Sequence, residues 1–138
     1  MKLIFVNPRE LKTHERTGIL RFVAAFVMIV REGAIINPLL IDEETKTILD
    51  GHHRHAVARL LRLRKVPCWA VSYLDDGAIE VEPRRRDIPV SKEEVVRRGA
   101  SGKVYPKKTT RHKYEVPSSR PFTLRELRYG IGDGDAVE

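Results

Sequence analysis

The stretch Thr47-Ile-Leu-Asp-Gly-His-His-Arg-His-Ala-Val-Ala-Arg-Leu-Leu61 decides how the chain is read. Thr47-Ile-Leu49 is short and apolar, as a strand is, whereas Ala56, Val57, Leu60 and Leu61 recur at the spacing of one helix face. The segment is therefore a strand delivered through Asp50-Gly51 into a helix. Such a turn gathers unpaired backbone N–H groups, the positive end of a helix dipole and the Arg54 guanidinium at one point, which favours an anion. Gly51 lets a phosphate approach the main chain, and Arg54 offers a fork of donors to its oxygens. Asp50 sets the opposite charge beside that anion, as expected of a metal ligand or of a group that orients a histidine. The alternative is that Asp50 caps the helix and the histidines are solvated first-turn residues.

Upstream, Pro38-Leu-Leu-Ile-Asp42 and Thr47-Ile-Leu49 flank the polar Glu43-Glu-Thr-Lys46, which predicts a hairpin. Lys2-Leu-Ile-Phe-Val6 reads as a first strand halted by Asn7-Pro8. Residues 19–32 are almost entirely apolar and are closed by Gly33, predicting a helix buried on most sides, either inside the domain or against a second copy of the chain. Downstream, Val66-Pro-Cys-Trp-Ala-Val-Ser-Tyr73 is the next strand, Asp75-Asp-Gly77 a turn and Ile79-Glu-Val81 an edge segment. Ser91-Lys-Glu-Glu94 is a capping box opening a short helix expected to end at Gly99, and Thr123-Leu-Arg-Glu126 repeats the signature.

The chain has 138 residues, the size of one ordinary domain with one core. Its 41% hydrophobic and 33% charged residues are a globular composition. Cys68 is the single cysteine, which excludes an internal disulfide framework and a zinc ribbon. The longest apolar run, residues 19–30, contains Arg21 and is too short to span a bilayer. With no signal-peptide pattern after Met1-Lys2, a cytoplasmic protein without a membrane partner is expected. The net charge of +7 is uneven: between Pro83 and Arg120 twelve Lys or Arg face four acids. That basic stretch, residues 83–120, attracts phosphate on nucleic acid, on a nucleotide or on a small phosphorylated product. The absence of Gln and the presence of only two Asn point to a hot-adapted source.

Around Asp50-Gly-His-His-Arg54 the sequence resembles the ParB and sulfiredoxin superfamily, in which a strand-turn-helix box binds nucleotide phosphates. Sulfiredoxin carries its reactive cysteine inside this turn; here His52 stands there and Cys68 lies in a strand, which argues against peroxiredoxin repair. The arginine-rich box and following helix-turn-helix domain of ParB-like DNA-partition proteins are not expected in this chain. Leu11-Lys-Thr-His-Glu15 is similar to the L-K-x-H-E segment of the superfamily's free serine kinases. Tyr105-Pro-Lys-Lys-Thr-Thr-Arg-His112 is similar to their P-K-T-T-R-H segment, with one extra lysine among Lys107 and Lys108. The resemblance runs over about residues 3–112. It implies an α/β (α+β) fold, a small mixed sheet with flanking helices in a single compact domain over residues 1–128, with residues 83–120 completing the site. Residues 129–138 are expected to form a disordered tail.

The activity implied is phosphoryl transfer from ADP or ATP to the hydroxyl of free L-serine, giving O-phospho-L-serine for cysteine synthesis or another pathway. On that resemblance Glu15 is the base for the serine hydroxyl, with His14 shaping its loop or touching phosphate. Asp50 is catalytic as the ligand of Mg2+, and Gly51, His52, His53 and Arg54 cradle the phosphates. Thr109, Thr110, Arg111 and His112 bind serine and its product. Without the resemblance, Glu15 reads as an exposed glutamate ahead of a helix and residues 107–113 as a solvated basic loop. Trp69, Tyr73 and Tyr105 are candidates for base stacking or for the core. The rival readings are a ParB-like nucleic-acid binder or nuclease and a nucleotide-binding regulatory module without catalysis. The kinase reading requires that the segments around Glu15, Gly51 and Arg111 meet at one pocket.

Overall fold

In the computed structural model, which describes residues 1–130, the elements follow the sequence reading closely. In chain order they are β1 (Lys2–Val6), a 3-10 turn (Pro8–Glu10), α1 (Ile19–Glu32), β2 (Ala34–Ile35), β3 (Leu39–Asp42), β4 (Ile48–Asp50), α2 (His52–Leu60), β5 (Val66–Val71), β6 (Glu80–Pro83), α3 (Lys92–Ser101), β7 (Thr110–Lys113), β8 (Phe122–Thr123) and α4 (Leu124–Tyr129). Strands β1, β5, β3 and β4 lie in that order in a mixed sheet: β5 is antiparallel to β1 and parallel to β3, and β3 is antiparallel to β4. Two short antiparallel pairs, β2 with β8 and β6 with β7, complete the α+β domain. Tyr129, assigned to the tail in the sequence reading, closes α4, and the rest of that expected tail from residue 131 lies outside the described residues.

Side chains alternate across a strand, so a sheet covered on both faces reads as continuous apolar runs. Leu39, Ile41, Val66, Cys68 and Ala70 join the α1, α2 and α4 residues Ile29, Val57, Ala58 and Leu127 in one apolar cluster. Leu40, Leu49 and Val71 join Tyr73, Val95 and Tyr105 in another. The one core expected from chain length is thus two layers separated by the sheet. Tyr73 and Tyr105 are fully buried in the second layer, with Trp69 packed against it, so all three are core residues and not stacking platforms. Cys68 is buried in β5, and desolvation pushes its thiol up to about 12, which leaves no thiolate for chemistry.

Two expectations change. Helix α1 has the predicted bounds, with Gly33 at φ 64° closing it, but only Ile29 is buried, and Leu20 is 84% exposed. The helix sits at the rim: Phe22, Ala25 and Phe26 pack on the core, Arg21, Ala24 and Met28 border a cavity, and Val23, Val27 and Val30 turn outward. Helix α3 starts at its predicted cap, where Ser91 Oγ accepts the Glu94 N–H at 3.1 Å, but passes through Gly99 and ends at Gly102, φ 76°. Gly99 is a contact point and not a stop, because an added Cβ would lie 3.0 Å from Thr47 Cγ2. Among the described residues no helix is long and apolar enough to cross a membrane.

Candidate active site

Residues far apart in sequence are tied together by main-chain bonds. The Arg16 N–H donates to the Tyr105 carbonyl at 2.9 Å and the Tyr105 N–H to the His14 carbonyl at 2.7 Å. Beside this pairing, β4 ends at Asp50, and Gly51, at φ 108°, turns the chain into α2. An added Cβ at Gly51 would lie 2.8 Å from Leu39 Cγ and 3.0 Å from Arg54 Nη2, so backbone conformation and packing both require glycine there. These segments border a cavity of about 750 Å³ that runs along α1. Glu15, Gly18, Asp50, Gly51, His52, His53 and Arg54 line it together with Lys107, Lys108, Thr110, Arg111 and His112. Ala24, Ala25, Met28, Ile29 and residues 34–36 add an apolar wall.

Glu15 is anchored by the loop that follows Tyr105. Its Oε1 accepts the Thr110 N–H and the Thr110 hydroxyl, each at 2.7 Å, and its Oε2 accepts the Lys108 N–H at 3.1 Å. The buried His14 ring sits behind this contact, with Nδ1 donating to the Ile48 carbonyl at 2.7 Å and Nε2 2.9 Å from Thr110 Oγ1. His52 and His53 are not solvated first-turn residues. The His14 N–H donates to His52 Nε2 and the Gly18 N–H to His53 Nε2, each at 3.1 Å. Burial holds both imidazoles neutral: His52 falls well below its ordinary range, with the other histidines adding, and His53 is lowered by burial and then by Arg21. His112 meets the Tyr73 hydroxyl at 2.7 Å, and burial pushes its pKa down to about 3. The histidines therefore shape the wall and offer no positive charge.

Charge comes from Arg and Lys. Arg54 Nη1 donates to the Asn37 carbonyl at 2.6 Å and the Pro38 carbonyl at 3.3 Å, while Nη2 stands 3.6 Å from Asp50 Oδ2. The Tyr114 hydroxyl donates to the same Asp50 oxygen at 2.7 Å. Thr109 is the predicted residue that does not reach the cavity: its side chain is buried and its hydroxyl donates to the Pro106 carbonyl at 2.6 Å, shaping the turn. Four cations outside the expected site residues also border the cavity, namely Arg21, Arg84, Lys107 and Lys108. Arg21 carried a signal, being the one charge inside an apolar run. Arg84 carried none beyond its basic stretch; it arrives because its N–H donates to the Thr109 carbonyl at 2.8 Å beside the β6–β7 pair. Among the described residues no group of three His, Cys, Asp or Glu forms a cation cage. Two carboxylates, Glu15 and the half-exposed Asp50, border the cavity, a donor set that could serve Mg2+ only as that ion is held beside phosphates, through one or two carboxylates together with phosphate oxygens and water.

No family model matches the chain. A ParB-like protein of Sulfolobus acidocaldarius is 33% identical over 87 residues, which are 63% of this chain and 43% of that protein, so the chain spans less than half the length of this relative. Among solved structures, a free serine kinase in complex with AMP superposes with a TM-score of 0.81 at 17% identity, covering 91% of this chain and 93% of the kinase chain. A glutamate-to-alanine variant of free serine kinase in complex with ADP gives 0.81 at 17% identity, covering 92% and 94%. A conserved hypothetical protein from Pyrococcus furiosus gives 0.82 at 16% identity, covering 92% and 97%. The chain has the fold of the free serine kinases.

Proposed function

We propose that this protein transfers the terminal phosphoryl group of ADP or ATP to the hydroxyl of free L-serine, giving O-phospho-L-serine. The observation that carries this reading is the meeting of Glu15, the turn of residues 50–54 and the loop of residues 107–112 at one 750 Å³ cavity. The fold it shares with free serine kinases that hold AMP and ADP supports it further. Phosphates lie at the start of α2, against the free N–H groups of Gly51, His52 and His53, with Arg54, Lys107 and Lys108 supplying charge. The nucleoside lies along the apolar wall of α1. Asp50 would hold Mg2+, which when bound would offset the charge of the donor phosphates. Arg111 binds the serine carboxylate and His112 forms the floor beside it, while Thr109 and Thr110 hold the turn that carries both. Glu15 takes the hydroxyl proton as the serine oxygen bonds to phosphorus and the bridging oxygen leaves with the nucleotide.

Beside the kinase reading we propose, from composition and patterning, a cytoplasmic protein of a hot-adapted cell that pairs with its copy through α1, its phosphoserine feeding cysteine synthesis or another pathway. Against the rivals stands the setting of Glu15 beside residues 107–112 at one cavity, which neither a nucleic-acid binder nor a regulatory module needs. Incubation with Mg2+, L-serine and each nucleotide in turn, followed by mass spectrometry, should yield O-phosphoserine. The Glu15→Ala variant should yield none while calorimetry still records nucleotide binding. Near-normal turnover by that variant would remove Glu15 as the base; nucleotide binding without product in the native chain would leave a regulatory module.

A further inference from the structure

The hydrogen atoms around Thr110 do not suffice for every acceptor at once. The Ile48 carbonyl can only accept, so the Nδ1 that lies 2.7 Å from it carries a hydrogen. In a neutral His14 the other ring nitrogen, Nε2, is then bare, 2.9 Å from Thr110 Oγ1. The single hydroxyl hydrogen of Thr110 therefore has two acceptors in reach, His14 Nε2 and, at 2.7 Å, Glu15 Oε1. Turned toward His14, it leaves Oε1 with one donor, the Thr110 N–H, and one open lone pair. Turned toward Glu15, it fills that lone pair and leaves a buried imidazole nitrogen facing an oxygen. Protonation of His14 removes the choice: Nε2–H donates to Oγ1, and the hydroxyl hydrogen has only Oε1 left.

We propose that the Thr110 hydroxyl is a two-position switch, thrown by His14, that decides whether Glu15 Oε1 has a lone pair open for the proton of the substrate. His14 is thus a positioning residue that acts through Thr110 and touches no substrate. The proposal rests on the reading of Glu15 as the base.

The surroundings make His14 the histidine that controls this contact. Its own segment presents Glu15, β4 the Ile48 carbonyl, α2 the His52 ring with centroids 4.5 Å apart, β7 the His112 ring at 5.7 Å and the loop before β7 the Tyr105 ring at 6.3 Å. His52 and His112 are held neutral more firmly, and Tyr105 keeps its hydrogen because burial raises its pKa. Burial also lowers His14, opposed by the Ile48 carbonyl and Glu15, so at neutral pH it is uncharged and both positions of the hydroxyl are open. Acid charges His14 and closes the lone pair.

The test is a pH titration of the nitrogen-15-labelled full-length chain by NMR, with His14→Gln assigning the signal. At neutral pH the His14 ring should show a protonated Nδ1 and a bare, hydrogen-bonded Nε2. Thr110→Val keeps the shape of the side chain but removes the hydroxyl that links His14 to the Glu15 carboxylate, so the His14 midpoint should fall by about one pH unit. Thr110→Ser should restore it. An unchanged midpoint in a folded Thr110→Val protein overturns the switch, and Thr110→Ala serves if the valine variant does not fold. In serine phosphorylation, the acid limb of kcat should follow the His14 midpoint in wild type and move with it in Thr110→Val; a limb indifferent to Thr110 also overturns it. If no nucleotide supports turnover, the kinase reading fails, and the NMR midpoints still decide the switch.

Discussion

At the scale of single residues, the turn at residue 51 shows how much one position specifies. Its change from strand to helix was legible in the sequence, because a short apolar run gives way to one apolar helix face at a glycine. The closeness of Leu39 to Gly51 was not, since Leu39 lies in β3, before the hairpin that brings the chain back to it. Gly51→Ala forces a left-handed backbone on a β-carbon and pushes it against Leu39, so calorimetry should record a loss of about 2 kcal/mol in stability. Arg54 does two jobs, clamping residues 37–38 and pairing with Asp50 at 3.6 Å. Arg54→Ala should weaken nucleotide binding at least ~10-fold, and Arg54→Lys should not recover it, because an ammonium cannot reproduce the planar fork. Equal affinities in calorimetry would remove Arg54 from the phosphate site. The backbone bonds from residues 14 and 18 to His52 and His53 had no sequence signal at all, since a histidine that accepts from a distant N–H looks like any other first-turn residue.

Elements were legible wherever local chemistry fixes them. The serine and threonine caps of α3 and α4 and the glycine after α1 are where the sequence places them, because each satisfies helix-end groups within a few residues. Gly99 misled for the opposite reason: its meaning lies in Thr47, an element away. In α1 the apolar pattern hid three faces with different neighbours, core, cavity and solvent, which no count of hydrophobic residues separates. Leu20, Val23, Val27 and Val30 fall at alternating steps of three and four on the outer face, the spacing of a two-helix seam. If α1 pairs with its copy, sedimentation should give a dimer in wild type and a monomer in Val27→Glu. A monomeric wild type at high concentration would remove the homodimer from the reading.

For the whole molecule, acid should be the condition that unfolds it earliest. His14, His52, His55 and His112 all have their pKa lowered chiefly by burial, so the unfolded chain binds protons that the folded chain refuses. Their neutral folded forms cost nothing above the ordinary histidine value near 6.5, and stability is lost as pH falls from there toward the folded values. His112 alone, at about 3 when folded, should cost about 2 kcal/mol at pH 5. Thermal melts at pH 7.5 and pH 5 should therefore differ by well over the effect of one surface charge, and equal midpoints would mean that these imidazoles are not held neutral. One further property of the molecule follows from the anchoring of Glu15 at Thr110, a contact that spans 95 positions of the chain. Closure of so long a loop is entropically late, so the sheet can be in place while that carboxylate still lacks its harness. During refolding, the burial of Trp69 should be recorded before any catalysis returns, and competence would then arrive as the last event in assembly.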